Sequence, residues 1–253
     1  MTITLYDIPS ATPVNAWSPN TWKARLDSKF ALNFKRIPYK TEWVEYPDIK
    51  PLSIKLGVEP TSWKADGSPQ YTLPAIYYPS TGVYISDSLK IAQYLEKTYP
   101  DTPALFPNGT LALQIAFTDA FASKSISIWS SIVAATYFKL NPRSQEYFRR
   151  TREEMTGKKM EELAPTGEAL VRQWADFEKG FGRVDEWYSK NDDKGPFLLG
   201  DKISWADFVV ASYLMRYKVI WGEESNEWKT ISSWHDGRWA SLLESLKEYH
   251  IAA

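Results

Sequence analysis

The sequence predicts two domains of different class: an α/β domain over residues 1–99 and an all-helical domain over residues 110–253, joined by a linker at 100–109. Three observations carry this. Short apolar strands alternate with helical periods through the first hundred residues. The run from Tyr99 to Gly109 then holds three prolines and a glycine in eleven residues, which ends both helix and strand. Beyond it only helical spacing recurs.

The elements follow in order. Ile3 and Leu5 alternate with threonines as a first strand over 3–6. Helical spacing then runs over 20–35, with Pro19 suited to a first turn and Ser18 at the cap. A second strand is predicted at 39–45 and a short helix near 48–56. Strands at 75–78 and 83–85 flank Pro79-Ser80-Thr81-Gly82, a turn cluster that reads as a hairpin. Pro74 cannot donate to a ladder, so it belongs at a strand start. Asp87-Ser88 open a helix over 87–99, whose free N–H groups suit a carboxylate. The low-charge segment 110–138, with only Asp119 and Lys124 charged, reads as one long helix buried in protein, because its serines and Gln114 break any membrane-spanning run. Leu170, Trp174, Phe177, Phe181, Val184 and Tyr188 keep a three-four spacing along one face. In Ile203-Ser204-Trp205-Ala206-Asp207-Phe208, Ser204 and Asp207 are spaced as a capping box, with Ile203 and Phe208 at the staple positions.

Composition narrows the functions. At 253 residues the chain is 43% hydrophobic and 24% charged, an ordinary globular balance. A net charge of −1 without a dense basic run argues against a nucleic-acid surface. No cysteine is present, so disulfides, thiolate zinc sites and protein thiol nucleophiles are excluded. His235 and His250 stand apart from any carboxylate cluster, and no metal site is expected. The opening Met1-Thr2-Ile3-Thr4-Leu5 lacks the charged head and apolar core of a signal peptide, so a cytoplasmic address is expected, with no membrane association.

Taken together, Leu73-Pro74, the Asp87-Ser88 helix start, Ser18-Pro19 and the Ser204–Asp207 box resemble the glutathione transferase superfamily. Trp17-Ser18-Pro19-Asn20-Thr21-Trp22-Lys23 and Thr41-Glu42-Trp43-Val44-Glu45-Tyr46-Pro47 resemble, more narrowly, the fungal-specific class A transferases related to etherases. The resemblance implies a thioredoxin-like first domain, a helical second domain and a homodimer. It implies glutathione as co-substrate, with a cis Leu73–Pro74 bond exposing the Leu73 backbone to the cysteinyl unit. Asp87 would face the γ-glutamyl ammonium and Ser88 its carboxylate. Two departures stand out. The interval between Ser18 and Pro38 is several residues longer than usual, which suggests an extra helical turn around residues 26–29. Position 87 carries Asp instead of the commoner Glu.

A free thiol titrates near ~8.5, and only the thiolate attacks. Lowering that value by ~2 units takes about 2.7 kcal/mol of preferential thiolate stabilisation. Ser18 is the hydroxyl in position to supply it, while the bland reading makes it a helix cap. With serine there and no cysteine, the resemblance leaves conjugation to aromatic electrophiles, or peroxide reduction, and removes thiol–disulfide exchange. Trp17 is expected as a wall of a hydrophobic substrate site. Most of the 12 Trp, 15 Tyr and 11 Phe must be core packing. Two other readings stand beside the enzyme: a ligandin that holds aromatic or polyphenolic compounds with little turnover, and a non-catalytic interaction module. Ser18 favours catalysis over the first, and the intact site residues argue against the second.

Overall fold

The computed structural model describes residues 2–24, 31–191 and 194–249. The chain forms two compact units: Met1–Ala104 with Leu140–Tyr147 and Glu248–Ala253, and Leu105–Lys139 with Phe148–Lys247.

The first unit is built on a four-stranded mixed sheet of order β2-β1-β5-β6. The strands are β1 (Ile3–Asp7), β2 (Tyr39–Trp43), β5 (Ala75–Tyr78) and β6 (Val83–Ser86). The central strand β1 is buried along its whole length, whereas the edge strand β2 exposes Lys40 and Glu42. Charges on an edge discourage further strand pairing. Helices α1 (Pro19–Ala24), α2 (Ala31–Phe34), α3 (Tyr46–Leu56) and α4 (Ser88–Thr98) complete the unit. Ile3, Leu5, Ala24, Leu32, Ile37, Ile76, Ile91 and Leu95 form its apolar core. Helix α3 ends at Gly57, whose positive φ lets its N–H return to the carbonyls of Ser53 and Ile54. Lys35 is buried, with its amine on the Glu96 carboxylate at 2.9 Å and on Thr102 Oγ1 at 2.8 Å. That pairing fastens α4 to the chain leaving this unit.

Two expectations change here. The helix predicted over 20–35 is present at both ends, as α1 and α2, while 26–29, where an extra turn was expected, lies outside the described residues. The sequence reading also missed a small hairpin of β3 (Ser62–Trp63) and β4 (Pro69–Gln70) ahead of Leu73. Strands of two residues carry no alternation to detect.

The second unit is helical: α5 (Leu111–Ser125), α6 (Trp129–Tyr137), the later part of α7 (Pro142–Thr156), α8 (Gly167–Tyr188), α9 (Trp205–Trp221) and α10 (Asn226–Ser245). The single buried helix expected over 110–138 is instead two helices joined by a 3-10 turn at Ile126–Ile128, with Leu113, Ile126 and Phe138 exposed. No Gly or Pro marks that break. The core is aromatic. Phe177 packs edge-on against Phe181 at 4.8 Å and Tyr217 at 5.4 Å, and Phe181 against Trp239 at 5.1 Å. The α8 face read from the sequence is the one that enters this core, through Phe177, Phe181, Val184 and Tyr188. Gly180 lies where any Cβ would meet the Lys124 carbonyl at 2.1 Å, so glycine is required for α5 and α8 to approach.

The capping box forms as its spacing predicts. Asp207 is fully buried and accepts from Ser204 N at 2.9 Å, Ser204 Oγ at 2.9 Å, Leu198 N at 2.8 Å and Tyr188 OH at 2.9 Å. Burial pushes its carboxyl up to about 6, against the pull of those donors. Among the described residues, no helix is long and apolar enough to cross a membrane.

Candidate active site

The strand registers bring four segments of the first unit to one end of its sheet. β1 runs parallel to β2 with Asp7 beside Trp43, and the Val44 N–H donates to the Asp7 carbonyl at 2.8 Å. β5 is antiparallel to β1, with Tyr6 opposite Ala75, and β6 returns with Ser86 opposite Ala75. Residues following β1, β2 and β6 therefore share an end of the sheet with those preceding β5. Leu73-Pro74 and Asp87-Ser88 are brought together directly: the Asp87 N–H donates to the Pro74 carbonyl at 3.2 Å.

The Leu73–Pro74 bond is cis, and Leu73 is buried. Asp87 sits at φ 80°, ψ 127°, a conformation that costs an L-residue on the order of 1–3 kcal/mol. Its Oδ1 accepts from Leu89 N at 2.9 Å and Lys90 N at 3.1 Å, capping α4. The second carboxylate oxygen has no hydrogen bond among the described residues. Ser88 is buried, and its hydroxyl likewise has no partner among them. This corner therefore offers an acid and a hydroxyl side by side, with the N-terminus of an eleven-residue helix behind them.

Ser18 lies immediately before α1 and is 6% exposed. Its carbonyl accepts from Trp22 N at 3.0 Å and Thr21 Oγ1 at 2.9 Å, as a cap residue's carbonyl does. Its hydroxyl has no partner among the described residues, so the side chain itself does not cap the helix. Helix α1, which Ser18 precedes, packs against α4, which Asp87 caps. No hydrogen bond joins Ser18 to Leu73-Pro74 or to Asp87-Ser88. Trp17 is buried, with its ring 6.0 Å from Tyr46, which stacks on Tyr147 at 5.8 Å and an interplanar angle of 13°. The aromatic run is anchored beside Glu45. Asn141 Nδ2 donates to Glu45 Oε1 at 2.7 Å, the Ser144 hydroxyl donates to Glu45 Oε2, and Tyr46 N donates to Ser144 Oγ at 2.9 Å.

Sequence reasoning missed Lys23. It is five residues beyond Ser18, on α1, and only 6% exposed, with its amine on Asn20 Oδ1 at 3.1 Å. Burial lowers its pKa to about 8, and the nearby Asp87 charge pulls the other way. The available signal was a lysine between Trp22 and Ala24, on the face of α1 that also carries buried residues.

A mixed sheet with a cis-proline strand entry, a strained acidic cap beside a buried serine, and a helical second unit define a protein of glutathione transferase type. The comparisons agree, and the chain belongs to the glutathione S-transferase family. The model of the family's N-terminal domain matches residues 17–98, and that of its C-terminal domain matches residues 112–249. A glutathione S-transferase of Ceriporiopsis subvermispora, solved in complex with glutathione, is 47% identical with a TM-score of 0.93, the match covering 100% of this chain and 99% of that one. The glutathione transferase GSTFuA3 of Phanerochaete chrysosporium is 42% identical with a TM-score of 0.92, over 100% and 99% of the two chains. The glutathione S-transferase-like protein ustS of Aspergillus flavus is 36% identical over 83% of this chain and 78% of its own length. Fungal class A transferases are thus among its near structural neighbours, and the first unit is thioredoxin-like.

Proposed function

We propose that the chain is a serine-type glutathione transferase, in which the Ser18 hydroxyl donates to the glutathione thiolate for attack on hydrophobic aromatic or peroxide electrophiles. The carrying observation is Ser18 itself: a residue 6% exposed at the start of α1, whose hydroxyl has no partner among the described residues. That oxygen is not among the fully buried unpartnered atoms, so it stays accessible to a ligand at the helix start. Glutathione in the Ceriporiopsis neighbour supports the co-substrate. The Leu73 backbone beside Pro74 takes the cysteinyl unit, Asp87 the γ-glutamyl ammonium, and Ser88 with the α4 N–H groups the γ-glutamyl carboxylate. Trp17, extended by Tyr46 and Tyr147, is the aromatic wall for the second substrate. The division at the 100–109 linker into a glutathione-binding and a helical domain belongs to this reading.

Ser18→Ala tests it. The variant should bind glutathione nearly as tightly, since the tripeptide's carboxylates are held elsewhere. The pKa of the bound thiol should rise, and conjugation of a model aromatic electrophile should slow by about ten- to a hundredfold, the worth of one hydrogen bond to a charged group. Thiolate absorbance titrated with pH reads the first effect. Overlapping titrations and equal rates would remove Ser18 from the chemistry and leave Asn20 as the next donor to test, since the Thr21 hydroxyl already donates to the Ser18 carbonyl. The same aromatic wall favours a second reading, a ligandin for aromatic or polyphenolic compounds. Tight binding of such a compound with negligible turnover by the unmodified protein would favour it.

A further inference from the structure

The helical unit holds a groove of about 480 Å³ between the first half of α8 and the first half of α10, within the size range of a small-molecule site. Trp174 and Trp234 line it, with ring planes 67° apart and centroids 6.1 Å apart. Buried Phe177 packs against Trp234 at 5.3 Å, and Trp221 against Trp174 at 5.7 Å, so both rings are held in place. Val171, 69% exposed, adds apolar surface to the same lining. The charged residues among the described lining are Glu178 and Glu227, one from each helix. Neither carboxylate has a hydrogen bond or an ion pair among the described residues. The positions three and four from Glu178 along α8 are Trp174, Ala175, Phe181 and Gly182, so no basic neighbour on its own helix answers it. Glu227 stands in the first turn of α10, where its charge offsets the positive end of that helix. The groove therefore joins aromatic surface to a surplus of negative charge.

We infer that this groove is a binding site for a small organic cation, one with a quaternary ammonium head on an apolar body. Indole rings set at a steep angle attract a weakly hydrated cation through the ring quadrupole, and an acid beside them adds Coulomb attraction. A quaternary head suits the place better than a primary ammonium, because it has no N–H to satisfy once it leaves water. A neutral aromatic ligand would stack on the tryptophans but leave both carboxylates without a partner, and an anion would meet repulsion. The groove lies in the helical unit and shares no residue with Ser18, Leu73-Pro74 or Asp87-Ser88. It stands whether or not the glutathione reading does.

Saturation-transfer NMR and calorimetry with benzyltrimethylammonium test this, beside benzyl alcohol as the neutral probe and benzylsulfonate as the anion. The wild-type protein should bind the cation with a dissociation constant of about 1 mM or lower, as expected for a ligand of about eleven non-hydrogen atoms. Benzyl alcohol should bind about tenfold or more weakly, and benzylsulfonate more weakly still. Raising salt from about 0.05 to 0.5 M should weaken the cation severalfold. Glu178→Gln combined with Glu227→Gln, which keeps the shape and removes the charge, should weaken it about fivefold or more. Trp174→Leu should weaken it about two- to thirtyfold. Saturating S-methylglutathione should leave the cation's dissociation constant unchanged. The wild-type comparison of the three probes needs no variant to fold. No cation binding up to about 10 mM, equal binding of benzyl alcohol, or equal affinity in the double glutamine variant would overturn the proposal. Displacement by S-methylglutathione would overturn it too, by moving the cation to the candidate active site. Loss of glutathione binding alone would end the transferase reading and leave this site standing.

Discussion

Asp87 caps α4 and is also the acid proposed for the ligand, and the two roles separate by substitution. Its Oδ1 caps α4 through Leu89 N and Lys90 N, while its charge is the candidate partner of a ligand ammonium. Alanine would remove both, so a loss of binding in that variant would also carry a cap loss of ~1 kcal/mol. Asparagine keeps an accepting oxygen and tolerates positive φ, but it is neutral. Asp87→Asn should therefore melt within about 1 kcal/mol of the parent yet bind glutathione ten- to a hundredfold more weakly. An unchanged dissociation constant would remove Asp87 from the ligand site. The positions of Leu73-Pro74 and Asp87-Ser88 were legible because each pair is contiguous and sits at an element boundary with its own backbone chemistry. Lys23 was not legible, since nothing in the sequence says that a lysine of α1 is buried and feels the charge of an acid sixty-four positions away.

The same distinction between contiguous and dispersed signals holds for whole elements. The cap of α9 was readable because Ser204 and Asp207 stand three residues apart and close a local ring. The hairpin of β5 and β6 announced itself by the Pro79–Gly82 turn, where the Gly82 N–H returns to the Tyr78 carbonyl at 3.0 Å. By contrast the break between α5 and α6 falls in Ser-Ile-Ser-Ile-Trp, residues that fit a helix and a 3-10 turn equally. The α10 interruption over 234–237 places His235 and Asp236 at positive φ and makes His235 a packing residue, its Nδ1 accepting from Trp239 Nε1 at 2.9 Å. Asp207 reaches beyond its own cap to Leu198 N and Tyr188 OH, which the spacing could not show. Its loss should thus cost more than a cap. Asp207→Ala strands several buried donors, each worth ~1–3 kcal/mol, so a destabilisation of ~3–5 kcal/mol is expected in chemical or thermal unfolding. A change below about 1 kcal/mol, the scale of an ordinary cap, would show that the wider network contributes nothing.

For the molecule as a whole, the open question of physical consequence is whether it works alone. The segment 110–138 has two charged residues, Asp119 and Lys124, and yet three of its large apolar side chains face solvent in the helical unit: Leu113 at 71%, Ile126 at 62% and Phe138 at 62% exposure. Single exposed apolar residues are normal on a protein surface, but several on a stretch almost without charge resemble the depletion of charge found at interface cores. We expect this segment to contribute to a homodimer. Light scattering at micromolar concentration should then give about twice the 29.1 kDa of one chain. Leu113→Lys combined with Ile126→Lys should shift that mass toward the monomer, because two buried ammonium groups per chain oppose association. Thermal stability should also fall on dilution for the wild-type protein and lose that dependence in the double variant, since association adds stability by mass action. A wild-type mass near 29.1 kDa would end the dimer expectation. A dimer that survives both lysines would keep the assembly but move its interface away from Leu113 and Ile126.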